Sequence, residues 1–450
     1  MSKADALHTH LFDPDEGVRM RAVRELAALG QPAATVLQTA LRDEIPRIRR
    51  LAATSLGKIA DPKTAQPLIP VLGDPDVEVR RAAAWALRRI GVEAVEQLIS
   101  ALHNRDAHTR AMAALVLGEI GNKWAFDPLV YVLGDQEEIV REQAAIALGK
   151  LGHPYAAEHL IEALADIDNE VRAAISRALL EIGEPAFEAL ERALEAPEWV
   201  RRASVVSALI HFNHPRALQA LIRAMKDPHK AVRRAAAESL SDLRAPAAFP
   251  VLVEGLKDPA HEVRSVVALA LGRLNDPAAV PLLVERTRDR NPDVREYAAS
   301  ALGELRHPDA IQPLVFLLKD YSADVRAQAA FSLGAIGDAR AVPGLLPVLY
   351  DQDDQVRAYA VAALGDIGDP SAAGGLIELL GLMDESLAGL AFSALTRIGP
   401  AAAPALKASA FHDNPNVRSR SAEILALIRK TRKGTGPLPT LGEALKMLKN

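Results

Sequence analysis

Cysteine is absent from the 450 residues, and aromatic side chains are scarce, with three Trp, six Tyr and nine Phe making up 4% of the chain. The lack of thiols excludes disulfides, thiolate metal sites, iron–sulfur clusters and cysteine nucleophiles. No uninterrupted apolar run approaches the roughly 20 residues that a membrane span needs. The opening MSKADALHTHLFDPDEG has neither an apolar signal core nor the Arg-rich amphipathic character of a transit peptide. The expectation is a cytoplasmic protein with no membrane contact. Charge of one sign is also missing: 53 basic against 58 acidic residues give a net charge of −5. No global basic field would hold nucleic acid non-specifically. Hydrophobic residues are nevertheless 49% and charged residues 25%, which excludes bulk disorder.

What fills the chain is a repeat. A Val-Arg-like pair recurs with its arginine at Arg19, Arg49, Arg80, Arg110, Arg141, Arg172, Arg201, Arg233, Arg264, Arg295, Arg326, Arg357 and Arg418. Spacings run from 29 to 32 residues, except for a last gap of 61, whose missing member falls at Leu387-Ala388. The count is 14 repeats, leaving no room for a separate globular domain. A repeat array is not limited in length by a single core.

Each repeat reads as two helices. In residues 61–91, Asp61-Pro62 opens the first and Asp74-Pro75 the second, since Asp caps orphan N–H groups and Pro suits the first helical position. Gly91 suits a left-handed stop. Val79, Ala83, Leu87 and Ile90 share one face at helical spacing. Alanine-rich helices pack closely, which accounts for the low aromatic content. An acidic residue precedes the arginine by six positions in eleven repeats, from Asp13 to Asp351. A catalytic constellation is needed once, not eleven times, so the pairing is structural: a cap and an Asp–Arg ladder between repeats. The fold class is therefore all-α, an α-solenoid of about 14 helical hairpins over 3–430.

The Pro-containing first helix, acidic turn and Val-Arg second helix resemble HEAT repeats. The short form, as in VREQAAIALGKLGHP at 140–154 and VRAQAAFSLGAIGDA at 325–339, is most similar to the phycobilisome-lyase HEAT-like subclass. The resemblance implies first helices on a convex side and second helices lining a concave one. It also brings enzyme readings. Deoxyhypusine hydroxylase, of the same short class, binds iron through repeated His-Glu pairs just after the Val-Arg position. No His stands there in this chain, and its single His-Glu pair, His261-Glu262, precedes its arginine. A bilin lyase or isomerase role belongs to a few members and is not carried by the repeat. DNA glycosylases built on a HEAT-like arc are shorter, and Glu119 and Glu142 would repel phosphate here. No Gly-rich phosphate loop, Ser-His-Asp set or paired catalytic carboxylate rises above the repeat, so no catalytic residue, metal or cofactor is assigned.

Second-helix positions one, five and nine after the arginine lie opposite the core. In the middle column Trp85, Leu115 and Ile146 follow one another, flanked by Arg50, Lys58, Arg81, Arg88 and Arg89. An apolar strip with an arginine-rich rim has the make-up of a protein-binding hot spot. The function expected is a non-enzymatic scaffold that takes an acidic, amphipathic protein segment on the concave face. A second arginine cluster leaves Arg177, Arg202 and Arg234 outside the ladder. Three irregularities remain. Repeat 7 is short and repeat 8 long, which suggests a change in curvature. Repeat 13 lacks its arginine and carries Gly374, Gly375, Gly381 and Gly389, as a loose stack or docking point would. Residues 431–450 read as a basic Gly/Pro linker and a short amphipathic helix, begun by a Thr440–Glu443 capping box, that caps the array or docks elsewhere.

Overall fold

The computed structural model describes residues 3–212 and 214–431. Among them every regular element is a helix. The chain divides into two compact units, Met1–Ala217 and Leu218–Asn450. Each stacks its hairpins in sequence order. The second helices of the first unit are Glu16–Leu29, Pro46–Ile59, Val77–Ile90, Ala107–Ile120, Glu138–Leu151, Asn169–Ile182 and Trp199–Leu209. Those of the second are Lys230–Leu243, His261–Arg273, Pro292–Leu305, Ala323–Ile336, Asp354–Ile367, Glu385–Ile398 and Pro415–Thr431. Fourteen repeats of an α-solenoid are thus in place. Apart from Thr431, the proposed linker and C-terminal helix lie outside the described residues.

Several first helices are short and begin or end as tight 3₁₀ turns, as in Pro62–Thr64, Ala65–Leu68 and Pro70–Gly73. Pro67 and Pro70 remove N–H donors from this stretch, so a continuous α-ladder is not available there. Second helices carry the core. Val79, Ala83, Leu87 and Ile90 are all buried, as their spacing requires. Neighbouring second helices approach so closely that several contact points admit only glycine. A Cβ on Gly118 would fall 2.5 Å from Ala147 Cα, and one on Gly272 would fall 2.7 Å from Ala301 Cα.

The Asp–Arg ladder ties repeat to repeat. Arg49 donates from Nε to Asp74 Oδ2 at 2.6 Å and from Nη2 to Oδ1 at 2.8 Å. Its Nη1 turns back to the carbonyls of Asp43 and Glu44 in its own loop, at 2.8 and 3.0 Å. Asp74 Oδ1 also accepts the Asp76 N–H at 2.9 Å. Asp74 is therefore committed to the ladder. The cap of the second helix is Asp76, two residues later than expected, accepting from the N–H groups of Glu78 and Val79. Equivalent rungs join Arg19–Asp43, Arg110–Asp135 and Arg141–Asp166 in the first unit. In the second they join Arg233–Asp258, Arg264–Asp289, Arg295–Asp320 and Arg326–Asp351.

Repeat 7 corrects the sequence reading. Arg202, not Arg201, donates to the carbonyls six and five residues earlier, Ala196 at 2.8 Å and Pro197 at 3.0 Å. Counted from Arg202, the spacings become 30 and 31 and the irregularity in length disappears. Arg201 instead faces Glu162 at 3.7 Å. The acid position is then Ala196, which leaves Arg172 to bond Asn169 of its own helix. In repeat 13 the acid position is Leu382 and the arginine position Ala388. The stack is bonded differently there, by Asn414 Nδ2 to the Gly381 carbonyl at 3.0 Å and Arg420 Nη1 to the Leu380 carbonyl at 2.8 Å.

Burial by itself would raise the pKa of Asp74, Asp135, Asp166, Asp289 and Asp351. The guanidinium and backbone N–H bonds outweigh it and hold all five below the ordinary carboxylate range. A depressed folded pKa gives stability that is present above the unfolded value and lost as pH falls through the folded one. Stability to urea should hold above about pH 5 and fall progressively below about pH 4. Arg264→Ala, which leaves Asp289 only the Asn291 N–H and Arg286 at 3.9 Å, should cost about 1–3 kcal/mol. Arg80 has no carboxylate partner among the described residues, and the acid position opposite it is Asn104, so Asn104→Asp should add about 0.5–1 kcal/mol. Urea titration of the three proteins at pH 7 checks both values.

Candidate functional site

The second helices of repeats 2 to 5 pack in succession, and Trp85, Leu115 and Ile146 occupy one register on three of them. All three side chains are half-buried. Trp85 spends part of its surface between repeats. Its ring lies across Gly57 so closely that a Cβ there would meet Trp85 Cζ3 at 2.5 Å and Ala86 Cα at 2.7 Å. The remaining indole edge, with Leu115 and Ile146, forms the apolar strip.

The basic rim differs from an unbroken arginine patch. Arg50, Lys58 and Arg89 are exposed and carry no ion pair among the described residues. Arg81 is exposed but bonds Glu78 one turn back at 2.8 Å. Arg88 lies 3.8 Å from Glu119, which Lys150 approaches from the other side at 3.5 Å. Arg50 borders an open hollow of 360 Å³ shared with Glu16, Ile45, Pro46, Arg47, Asp76 and Glu78. The face therefore alternates in sign around its apolar strip. It offers three free cations and several carboxylates that would reject a polyanion.

In the second arginine cluster, Arg202 belongs to the ladder and is not the surface residue the sequence suggested. Arg234 pairs with Glu238 at 2.8 Å, and Arg177 Nε reaches the Ala173 carbonyl at 3.4 Å. Two features escaped the sequence reading. The first is an aromatic–histidine cluster on the first helices, where Phe126 stacks on His153 at 4.4 Å between ring centres and His153 meets Tyr155 at 5.5 Å. Trp124, Tyr131 and Tyr155 around it are exposed. Its signal was the concentration of these residues between 124 and 155 in a chain poor in aromatics. The second is a run of left-handed residues, Arg244, Asn275 and Arg306, where most repeats carry Gly.

Among the described residues no group of three or more His, Asp or Glu is placed to hold a metal ion. No helix is long and apolar enough to cross a membrane.

A family model described as HEAT repeats matches residues 4–88, 66–144, 126–210, 188–270, 249–320 and 314–388. No curated protein matches the chain. Solved structures do. Yeast Kap95p, in a complex with RanGDP, superposes with a TM-score of 0.51 at 18% identity, covering 95% of this chain and 67% of its own. Kap121p bound to the extreme C-terminus of the phosphatase Cdc14p gives 0.52 at 14% identity, covering 99% and 62%. Kap121p bound to Nup53p gives 0.52 at 14%, covering 94% and 60%. The chain thus spans about three-fifths to two-thirds of those proteins, and at these identities the likeness is one of fold.

Gly57→Ala should destabilise the first unit by about 1–3 kcal/mol, because its Cβ has no room against Trp85 and Ala86. Glu119→Gln, which breaks only exposed pairs, should change stability by less than about 0.5 kcal/mol. Urea unfolding of both variants separates the packed side of the strip from its solvated rim.

Proposed function

We propose, from the premise that this chain belongs to the HEAT-repeat family, that it is a non-enzymatic scaffold which binds a partner protein along its second helices. The short Val-Arg form of its repeats supports reading it as a member of the phycobilisome-lyase HEAT-like subclass without that chemistry, working in the cytoplasm. The second helices form its concave side. One observation supports this site above others: a half-buried apolar strip, Trp85–Leu115–Ile146, stands at one register beside Arg50, Lys58 and Arg89, cations with no ion pair among the described residues. An amphipathic segment would seat its apolar residues on the strip and its carboxylates on the cations. The mixed charge favours a protein segment over a uniform polyanion, and Arg81 and Arg88 can exchange their exposed carboxylates for those of a partner at small cost. The structurally similar Kap121p was solved bound to Nup53p, to the SUMO protease Ulp1p and to the extreme C-terminus of the phosphatase Cdc14p. That precedent motivates a protein partner here.

An affinity pull-down from lysate of the source organism tests the reading. The control is an Arg81→Glu, Trp85→Ala, Arg89→Glu variant with unchanged helix content by circular dichroism. A protein retained by the wild type and weakened at least tenfold on the variant is the expected result. Equal retention by both would refute the assignment to repeats 2 to 5.

A further inference from the structure

Eleven residues after the ladder arginine, the second helix ends and the backbone turns left-handed. Gly30, Gly91 and Gly183 have positive φ with ψ between −134° and −141°, whereas Gly121, Gly152, Gly337 and Gly368, and Ala60 in repeat 2, take the left-handed helical conformation. Only glycine enters it without steric cost. In three consecutive repeats of the second unit the residue is not glycine: Arg244 has φ 47°, Asn275 φ 55° and Arg306 φ 47°. A helix C-terminus favours a cation. Any position in the last turn would provide one without a left-handed backbone, so the dipole does not explain why the strained residue itself carries the charge. Ala60 bears the same strain singly and without a polar side chain, so it is the run of three polar residues at successive positions, not strain by itself, that points to use of those side chains.

Both arginines open onto one groove. Arg244, Arg273, Arg306, Glu304, Ser300 and Phe331 are among the lining of a hollow of 480 Å³ across repeats 8 to 11. Arg273 is engaged, bonding Asp242 at 2.9 Å and Ser241 Oγ at 3.3 Å. Arg244 and Arg306 are exposed and have no ion pair or side-chain hydrogen bond among the described residues. Phe331 stands five residues after its ladder arginine, the register that Trp85 holds in repeat 3, and is 53% exposed. Tyr359 supports it edge-on at 5.8 Å between ring centres. Successive helices lie roughly 8–10 Å apart, a stride that about three residues of extended chain would span. The groove is open and crosses helices, which suits a peptide passing over it better than an enclosed small molecule.

We propose that this groove is a second binding site, for an extended acidic peptide segment of a partner protein, with carboxylates on Arg244 and Arg306 and an apolar side chain against Phe331. It rests on the scaffold reading only in taking the ligand to be a protein segment, and it is independent of repeats 2 to 5.

The test uses a displayed library of random dodecapeptides selected on the full chain. Selected peptides are then measured on an Arg244→Gly, Arg306→Gly variant and on a Trp85→Ala, Arg81→Glu variant. Glycine suits both backbone positions, so the first variant should melt at or above the wild-type temperature. The expected result is enrichment of Asp and Glu beside an apolar residue, at least tenfold weaker binding to the glycine variant, and unchanged binding to the other. Selection without acidic enrichment, or equal affinity for the glycine variant, would overturn the proposal. Acidic peptides lost only on the Trp85 and Arg81 variant would likewise overturn it, while leaving the first site standing.

Discussion

A guanidinium placed in the nearly dry seam between two helical hairpins is best met by a carboxylate, and that pairing sets the geometry of most of the repeats. The carboxylate of Asp74 accepts two bonds from Arg49 of the preceding repeat and one from the Asp76 N–H of its own turn. Arg49 in turn satisfies two carbonyls of the loop from which its helix starts. One residue pair thus fixes the distance between hairpins and the path of the chain into each second helix. Glycines such as Gly118 and Gly272 then allow the same helices to close to backbone contact farther along. A buried pair of this kind contributes specificity of register more reliably than net stability.

This arrangement separates framework from function. The ladder occupies the starts of the second helices and the apolar core their buried stripe, which leaves positions one, five and nine after the arginine free to vary. In repeats 3 to 5 the middle position is Trp85, Leu115 and Ile146; in repeat 11 it is Phe331. Single charges such as Glu119, shared by Arg88 and Lys150, adjust the rim without touching the frame. A chain that holds its shape by nearest-neighbour contacts can carry more than one such patch.

Much of this was legible in the residues, because the period, the buried face and the ladder all repeat and each instance corroborates the others. Errors arose where a repeat departed from the pattern. In repeat 7 two adjacent arginines and a misplaced acid, Glu195, made Arg201 the better match. Only the bonds of Arg202 to Ala196 and Pro197 fix the register. The cap fell on Asp76 and not Asp74 because a carboxylate already held by a guanidinium has its lone pairs directed elsewhere. Repeat 13 looked loose from its glycines, yet Asn414 and Arg420 bond its turn from the following repeat. The candidate face was located by register, but which of its cations are free depends on side-chain contacts between repeats, as with Arg88 and Glu119, and no spacing rule encodes those.

The central claim is that a partner lies along the second helices of repeats 2 to 5. Hydrogen–deuterium exchange of the full chain, with and without the captured partner, addresses it most directly. Slowed exchange is expected in peptides from Pro46–Ile59, Val77–Ile90, Ala107–Ile120 and Glu138–Leu151, with the first helices of the same repeats unchanged. Protection confined to first-helix peptides such as Val95–Ala101 and Phe126–Val132 would contradict it.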